Sequence, residues 1–293
     1  MNAPAAVRVR PAGHPPVVLT IAGSDPSGGA GIQADLKTFD ALGGYGCAVI
    51  TALTAQSTRG VTGVFAVPAD FVTRQLDTLF ADVGIDAVKI GMIADADIAA
   101  AVAAALRRYR PQYVVLDPVM VATSGDRLLS PDAEQVVRNE LLPLADLITP
   151  NLDEAAALLS TGPAADADEA REQVRALQQL GARYALVKGG HFTSDAFAVD
   201  HLGVPGGAVQ ELSARRVDTA NTHGTGCTLS SAIAVLRPGA PDWPTAVRQA
   251  KDYLTAALAA ADELVIGGTG TDRSPYTGHG PVHHAAGARP SGG

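Results

Sequence analysis

The chain alternates between short, continuous apolar runs and segments whose apolar residues recur at helical spacing. VVLTIA, at residues 17–22, is such a run, and in the segment after it Ile32, Leu36, Phe39 and Leu42 are spaced as on one face of a helix. Continuous apolar runs are typical of strands buried on both faces, and strands separated by helical patterns of about 10 to 15 residues are typical of βαβ units. The sequence therefore predicts an α/β fold with a doubly wound, mostly parallel central sheet and helices on both of its faces.

The alternation continues along the chain and indicates one domain. Further strands are predicted in YGCAVITALTA, DAVKIGM, QYVVLDPV, DLITP and YALVKGG. Two weaker alternating runs, DAFAVDHLG and GAVQELSARRV, predict a hairpin near a sheet edge. Pro68 is expected to begin one helix and Ser130 to cap another. Because no charged linker or repeat interrupts the pattern, we expect a single domain at 15–285, a flexible arm at 1–14 and a flexible tail at 286–293.

Composition excludes several classes of function. A formal charge of −8 argues against a nucleic-acid footprint, which normally shows as a basic face, and favours small-molecule substrates. No apolar stretch reaches the length of about 18 residues expected of a membrane span, so no membrane partner is predicted. Cys47 and Cys227 have neither disulfide nor zinc spacing, so both are expected to be free thiols. These features predict a cytoplasmic protein.

The chemically informative residues fall where the predicted strands end. In an open α/β sheet, ligands bind in the crevice outside the carboxyl ends of the strands. The segments at these ends are GSDPSGGAG, Gln56, KIGM, DPVM, PNLDE, KGGH and THGTGC. We therefore expect these segments to meet in one site.

THGTGC has the features of an anion-binding turn. Gly224 and Gly226 allow a tight turn whose backbone N–H groups point one way, and the helix that follows adds the positive end of its dipole. Such a turn suits a phosphate or a phosphoryl group in transfer. At a helix start the pKa of Cys227 is expected to fall below about 8.5, so that the side chain could accept a proton from a substrate hydroxyl. The alternative is a small buried residue at an ordinary helix start.

Oxygen ligands and one lysine suggest the remaining machinery for phosphates. Asn151 and Glu154 are three residues apart at a helix start, and Asp117 ends another strand. Mg²⁺ needs one or two carboxylates besides substrate phosphates, so these three residues are its candidate ligands. Lys188, at a strand end, is expected to position a phosphate. For Asn151 and Glu154 the alternative is a helix start that favours acidic residues because of its dipole.

Other phosphate-binding motifs are missing. The chain has no GxxxxGK[ST], which argues against a P-loop NTPase, and no GxGxxG after a predicted strand, which argues against a dinucleotide-binding fold.

A set of long strings, in order along residues 17 to 284, resembles one family of enzymes. The strings are GSDPSGGAGIQADLKTF, ITALTAQSTRGV, KIGM, VVLDPVM, SGD, LITPNLDEA, VKGGH, NTHGTGCTLS and GHGPVHH. Together they resemble the hydroxymethylpyrimidine/phosphomethylpyrimidine kinases of thiamine biosynthesis, which belong to the ribokinase-like superfamily. The resemblance implies two successive phosphoryl transfers from ATP, first to the hydroxymethyl group and then to the resulting monophosphate. It also implies a homodimer.

The resemblance implies roles for individual residues. Those that match the pyrimidine site are Gly23, Asp35, Gln56, Met92 and Val119. Those that match the ATP site are Lys188, Thr225 and Asp117. Those that match the Mg²⁺ site are Asn151, Glu154 and Asp117. Gly224 and Gly226 match the anion hole, and Cys227 matches the position of a catalytic aspartate in related sugar kinases and is the expected general base.

The cysteine at this position suggests a hypothesis about the second transfer. An acceptor that already carries a phosphate would be repelled by a fixed carboxylate, whereas a thiol can be neutral. Cys227 would then suit an enzyme that phosphorylates both an alcohol and a phosphate.

Two departures and two alternatives accompany the resemblance. Many relatives have a lysine where this chain has Thr123, and an insertion, TDRSPYT at 271–277, lies near the expected nucleotide side; we expect it to be an inert loop. A pyridoxal kinase of the same superfamily would need different contacts at Gln56 and Met92. A non-catalytic pyrimidine-binding protein would not need both a metal site and an anion hole.

Overall fold

The computed structural model describes residues 13–120, 129–190, 196–267 and 279–286. Thr123 and the insertion at 271–277 lie outside these residues, as do nearly all of the predicted arm and tail.

One eight-stranded sheet forms the centre of the molecule. The described residues contain ten strands, of which eight form this sheet. They are β1 (Val17–Ala22), β2 (Tyr45–Ile50), β3 (Ala52–Ser57), β4 (Gly60–Ala66), β5 (Ala87–Ile90), β6 (Tyr113–Leu116), β7 (Leu147–Ile148), β8 (Tyr184–Val187), β9 (Phe197–Gly203) and β10 (Gln210–Arg215). The sheet has the order β10-β9-β8-β7-β6-β5-β1-β2, and β3 and β4 form a separate antiparallel pair. All neighbouring strands from β8 to β2 pair in parallel, whereas β9 pairs antiparallel with both of its neighbours, β8 and β10. The predicted hairpin at an edge is therefore confirmed.

Helices cover both faces of this sheet. They are α1 (Gly31–Ala41), α2 (Ala69–Asp82), α3 (Ala96–Tyr109), α4 (Pro131–Val136), α5 (Leu152–Leu159), α6 (Ala167–Gln179), α7 (Thr225–Leu236) and α8 (Trp243–Ala259). The Ser130 side chain accepts a hydrogen bond from the Ala133 N–H at 3.3 Å and caps α4, as predicted. The segment SPDAEQVVRNELLP at 130–143 is predicted as one helix, and this is wrong: α4 is followed by a π-helical turn at Val137–Leu141 and a 3₁₀ turn at Leu142–Leu144.

Alternate strand residues supply two separate hydrophobic cores. Leu19 and Ile21 point into the core that α2 to α6 cover, whereas Val18 points into the core that contains Phe39 of α1 and Ile233 of α7. A strand buried on both faces shows a continuous apolar run, which explains the pattern of VVLTIA. The predicted fold class is therefore confirmed.

The prediction of one strand in YGCAVITALTA is wrong. β2 ends at Ile50 and β3 begins at Ala52, because the backbone of Thr51 leaves the main sheet. The Thr51 N–H donates to the Ala22 carbonyl at 3.0 Å, while the Thr51 carbonyl accepts from Val67 at 2.9 Å. The second half of the run pairs with β4, a strand that the sequence did not predict.

The structure also bears on membrane-spanning segments and on the two cysteines. None of the helices in the described parts of the chain is both long and apolar enough to span a bilayer. Cys47 is buried and Cys227 partly buried, and both are thiols rather than halves of a disulfide, as predicted.

Candidate active site

The loops at the carboxyl ends of the strands enclose one cavity of about 1010 Å³. Of the residues singled out as site candidates, all except Asp35 line it. They are Gly23, Gln56, Met92, Asp117, Val119, Asn151, Glu154, Lys188, Gly224, Thr225, Gly226 and Cys227. The segments expected to meet at the strand ends therefore do so.

The start of α7 is in direct backbone contact with the glycine-rich loop after β1. Gly224 precedes α7 in a left-handed conformation, with φ of 81°. A Cβ atom at this position would lie 1.8 Å from the carbonyl oxygen of Gly29. No side chain fits there, so the contact requires glycine for both its backbone angle and its space.

Asp25 and His223 join the same two loops through side chains. His223 Nε2 lies 2.8 Å from Asp25 Oδ2, and the ring nitrogen donates because an ionised carboxylate can only accept. The same carboxylate accepts from the backbone N–H of Ala30 at 2.8 Å and from the Ser27 hydroxyl. Burial by itself raises the pKa of Asp25, but these hydrogen bonds outweigh it and lower the pKa to about 2.

The sequence reasoning missed Asp25 as a site residue. The available signal was a carboxylate inside a glycine-rich turn, since Asp often accepts hydrogen bonds from backbone N–H groups a few residues further on.

The first turn of α7 lies against a lysine and a carboxylate. A Cβ atom at Gly226 would lie 3.2 Å from Lys188 Nζ and 3.7 Å from Asp117 Oδ2. The N–H groups of a first helical turn have no acceptor within the helix, and the dipole of the helix makes this end positive. Lys188 adds a full positive charge next to it. This end of the cavity is therefore suited to a negatively charged group.

Asp117 and Lys188 form a largely buried ion pair. Lys188 Nζ lies 3.1 Å from Asp117 Oδ1, which also accepts from the Thr149 hydroxyl at 3.0 Å. Burial raises the pKa of Asp117, but the positive charges of Lys188 and Lys89 more than offset this effect and lower it. Burial lowers the pKa of Lys188, but the Asp117 and Glu154 carboxylates reverse the direction and raise it. Both groups are therefore charged at neutral pH.

Asn151 and Glu154 stabilise a helix start, which was the alternative to a metal site, and they also face the cavity. The Asn151 N–H donates to Glu154 Oε2 and the Glu154 N–H donates to Asn151 Oδ1, both at 2.8 Å, which is a reciprocal cap at the start of α5. Glu154 Oε2 also lies 3.7 Å from Lys188 Nζ. Burial raises the pKa of Glu154 to about 7, against the opposing effect of Lys188. The cap holds both side chains at the edge of the cavity.

The residues here fit a magnesium ion that is held partly by phosphates. Within the described ranges, no group of three or more His, Cys, Asp and Glu side chains could hold a metal by itself. Asp117 and Glu154 nevertheless offer carboxylate oxygens at the cavity wall. Mg²⁺ commonly takes one or two carboxylates and completes its shell with waters and substrate phosphates.

Asp35 lies beneath the cavity and does not line it. Its carboxylate is fully buried, with Lys89 Nζ 2.9 Å from both oxygens. The Thr20 hydroxyl donates to Oδ2 at 2.6 Å and the Ser231 hydroxyl donates to Oδ1 at 2.7 Å. Contact between Asp35 and a pyrimidine stays a prediction, and it requires a ligand to reach below the present cavity wall.

Lys89 is a cavity-lining residue that the sequence reasoning missed. Burial lowers its pKa, but the negative charge of Asp35 overrides that effect and the net shift is upward. Its partner is 54 residues away in sequence, so no local pattern identifies the pair.

The expected lowering of the pKa of Cys227 is wrong. Burial of the thiol raises its pKa to about 11, and the negative charges of Asp35 and Asp117 act in the same direction. Lys89 and a backbone hydrogen bond from Gly31 oppose this shift without reversing it. Cys227 is therefore protonated at neutral pH, chiefly because the thiol is buried.

The acceptor side of the cavity combines apolar walls with one side-chain amide. Met92 packs against the backbone of Gly23, where a Cβ atom would lie 2.9 Å from the Met92 sulfur. The Thr54 hydroxyl donates to the Ser24 carbonyl at 2.8 Å and lies 3.2 Å from Gln56 Oε1, and the Gln56 side chain lines this part of the cavity. Val119 adds a further apolar surface. This combination suits a small, flat ring with polar edge atoms.

The opposite side of the cavity lies between the β9–β10 hairpin and α8. A buried ion pair joins Lys251 Nζ to Asp200 Oδ2 at 2.5 Å, and both residues line the cavity together with Leu254 and Leu258. The sequence reasoning identified the hairpin but gave it no part in the site. The alternating pattern of the hairpin predicts that β9 and β10 are strands, but it does not predict which helix they face.

A phosphomethylpyrimidine kinase family model matches residues 25–272. The chain belongs to the phosphomethylpyrimidine kinase family. It is 55% identical over 266 residues to the hydroxymethylpyrimidine/phosphomethylpyrimidine kinase of Escherichia coli, covering 91% of this chain and 96% of that protein. It is 56% identical to the enzyme of the same name from Salmonella typhimurium, with the same coverage. The suggested resemblance is confirmed.

Solved structures confirm the ribokinase-like fold of this phosphomethylpyrimidine kinase family member. Phosphomethylpyrimidine kinase from Clostridium difficile has a TM-score of 0.73 and 40% identity, covering 83% of this chain and 99% of its own. The ADP complex of Bacillus subtilis pyridoxal kinase has a TM-score of 0.82 and 35% identity, covering 92% and 98%. A third structure, pyridoxal kinase from Staphylococcus aureus with AMP-PCP and pyridoxal, has a TM-score of 0.80 and 30% identity, covering 94% and 95%.

Proposed function

We propose that this protein transfers a phosphoryl group from ATP to the hydroxymethyl group of 4-amino-5-hydroxymethyl-2-methylpyrimidine, and then a second one to the resulting monophosphate, in thiamine biosynthesis. The observation that carries the proposal is the cavity in which an apolar, amide-bearing side and a lysine-bearing side meet at the first turn of α7. Membership of the family supports the same reaction.

Phosphates would bind at the first turn of α7. The N–H groups of this turn and Lys188 supply hydrogen bonds and positive charge where negative charge develops during transfer. Gly226 leaves the room that a side chain would take, since its Cβ atom would contact Lys188 and Asp117. Thr225 is the matching ATP-site residue on the same turn.

Asn151, Glu154 and Asp117 would hold Mg²⁺ at the phosphate side. A bound Mg²⁺ would supply positive charge that neutralises the transferring phosphates. The residues contribute fixed positions: the reciprocal cap holds Asn151 and Glu154, while Thr149 and Lys188 hold Asp117.

Cys227 would lie beside the attacking hydroxyl. Its pKa of about 11 means that a general-base role requires the thiol to lose its own proton before it can accept one from the substrate. The positive charge of Lys89 favours that loss. A protonated thiol would still contribute a small, neutral surface against which a phosphate acceptor is not repelled.

The protein is expected to act as a cytoplasmic homodimer built from one kinase domain at 15–285. Apolar side chains exposed on the β3–β4 pair support an interface there: Leu53, Val64 and Phe65 are 48%, 47% and 66% exposed. Light scattering of the purified protein tests this expectation, and a monomer at micromolar concentration would refute it.

The experiment that tests the proposed function compares two acceptors. Purified full-length protein is incubated with Mg²⁺-ATP and either the hydroxymethylpyrimidine or pyridoxal, and products are followed by mass over time. We expect monophosphate and then diphosphate from the pyrimidine. A Lys188→Met preparation, purified in parallel, controls for contaminating host kinases because it lacks the phosphate-side cation.

The second candidate function is pyridoxal phosphorylation, favoured by the likeness to solved pyridoxal kinases. Turnover of pyridoxal alone would support this candidate and refute the proposal. Saturable pyrimidine binding without ATP turnover would instead indicate a binding protein.

A further inference from the structure

The helix that carries Cys227 is buried around most of its circumference. Every residue of α7 from Thr228 to Val235 is buried, and several of them are small. No solvent-exposed polar face fixes the rotation of such a helix about its axis. Directional hydrogen bonds from its buried hydroxyls therefore add to the packing contacts that define this rotation.

Ser231 makes such a bond. Its hydroxyl donates to Asp35 Oδ1 at 2.7 Å, and both side chains are fully buried. Ser231 is four residues after Cys227, so the two side chains lie on the same face of α7. The bond and the thiol are therefore on the same side of the helix.

The acceptor of this bond is anchored to the sheet. Asp35 lies on α1, but its carboxylate is bound by Thr20 of β1 at 2.6 Å and by Lys89 of β5 at 2.9 Å. Its position is thus defined by two neighbouring strands of the central sheet. Ser231 connects α7 to a point that cannot move without breaking a buried ion pair.

The neighbouring serine provides a contrast. Ser230 Oγ lies 3.0 Å from the carbonyl of Gly226 and 3.1 Å from that of Cys227, both within α7, and 3.3 Å from Asp117. Two of its three acceptors lie within α7, so the contact outside the helix that its loss removes is the longest of the three, the one to Asp117, and the Ser231 bond to Asp35 stays in place.

We propose that Ser231 is a positioning residue for phosphoryl transfer: its bond to Asp35 fixes the rotation of α7, and with it the positions of Cys227 and of the first-turn N–H groups. The inference rests on the proposed kinase function. A displacement of about 1 Å in a reacting constellation can cost about 10²-fold in rate, so we expect loss of the bond to lower kcat by about 10- to 100-fold.

Thr20→Val provides the matched control. It removes a hydroxyl that is equally buried and bonds the same carboxylate but does not belong to α7, and it leaves both the Lys89 ion pair and the Ser231 bond to Asp35 in place. We expect Ser231→Ala to lower kcat with little change in the KM for ATP, and Thr20→Val to keep kcat within about threefold despite a comparable loss of melting temperature. Equal losses of kcat in the two variants, or an unchanged kcat in Ser231→Ala, would overturn the proposal.

A readout independent of turnover separates this inference from the proposed function. Alkylation of Cys227 by iodoacetamide, located by mass spectrometry, is expected to be about fivefold or more faster in Ser231→Ala than in wild type, because a looser helix opens more often. Thr20→Val is expected to react at the wild-type rate. An inactive wild-type protein would refute the kinase function, whereas equal alkylation rates in all three proteins would refute the role of Ser231.

A second variant guards against misfolding. Ser231→Cys has nearly the same size and keeps a weaker donor. We expect its kcat to lie between those of wild type and Ser231→Ala, and a kcat at or below that of a folded Ser231→Ala would count against the proposal. If Ser231→Ala does not fold, a wild-type kcat in Ser231→Cys would overturn it, and a reduced kcat with unchanged ATP KM would support it.

Discussion

Gly224→Ala would create the shortest steric contact of any alanine substitution at a glycine in the described residues. An alanine at φ of 81° costs about 1–2 kcal/mol from its left-handed backbone alone. Its Cβ atom would also lie 1.8 Å from the Gly29 carbonyl oxygen, less than any real contact, so one of the two loops must move by about 1 Å or more. Because both loops line the cavity, we expect kcat/KM to fall by about 10²-fold or more, which corresponds to at least about 2.7 kcal/mol of transition-state stabilisation.

The assay is the rate of ADP release with the hydroxymethylpyrimidine under subsaturating conditions. Gly43→Ala is the matched control, because Gly43 has φ of 77° and no atom within 4 Å of an added Cβ. It carries the same backbone strain without the clash, and we expect near wild-type kcat/KM. A folded Gly224→Ala enzyme within about threefold of wild type would refute the reasoning, since it would show that the contact between the loops does not position the reacting groups.

Four further substitutions test the charged and nucleophilic groups. Cys227→Ala is expected to lower kcat by about 10² to 10⁴ if the thiol is the base, and a loss below tenfold in the steady-state assay would assign the rate to positioning. Cys227→Asp is expected to slow the second transfer more than the first in single-turnover measurements, and equal rates would contradict the repulsion argument. Lys89→Met leaves Asp35 buried and unpaired, so urea unfolding should show a loss of about 3–5 kcal/mol, and a loss below about 1 kcal/mol would contradict this account. The folded pKa of Asp25, about 2, lies below its ordinary value, so its stabilisation is present above about pH 4 and lost towards pH 2. Asp25→Asn should flatten the dependence of melting temperature on pH over that range, and an unchanged dependence would contradict the assignment.

The fold class could be predicted because burial on both faces leaves a direct mark on the sequence. VVLTIA reads as a continuous apolar run since Val18 and Leu19 enter different cores. The break at Thr51 could not be predicted in the same way. It depends on hydrogen bonds to Ala22 and Val67, which come from other parts of the chain and leave no period in the residues around the break.

The same distinction between local sequence pattern and contacts distant in the chain applies to the candidate site. Residues at strand ends could be predicted as neighbours, because parallel strands bring their carboxyl ends to one edge of the sheet. Depth below that edge could not. Asp35 lies beneath the cavity because Lys89, Thr20 and Ser231 hold it there, and these partners come from β5, β1 and α7. The glycine-rich turn around Asp25 offered a local signal for this residue, but its pairing with His223, 198 residues away, has none.

The position of Cys227 connects the two predicted transfers. The helix start and Lys89 favour a thiolate, but burial, Asp35 and Asp117 favour the thiol, and the second group of effects is larger. The same surroundings would also raise the pKa of an aspartate at this position. The ordinary pKa of an aspartate is, however, between about four and five units lower than that of a thiol, so the aspartate would stay charged far more readily. Because the surroundings disfavour a negative charge at this position, a cysteine there is neutral. For an acceptor that arrives with its own phosphate, a neutral group beside the reacting oxygen removes a repulsion that an aspartate would retain.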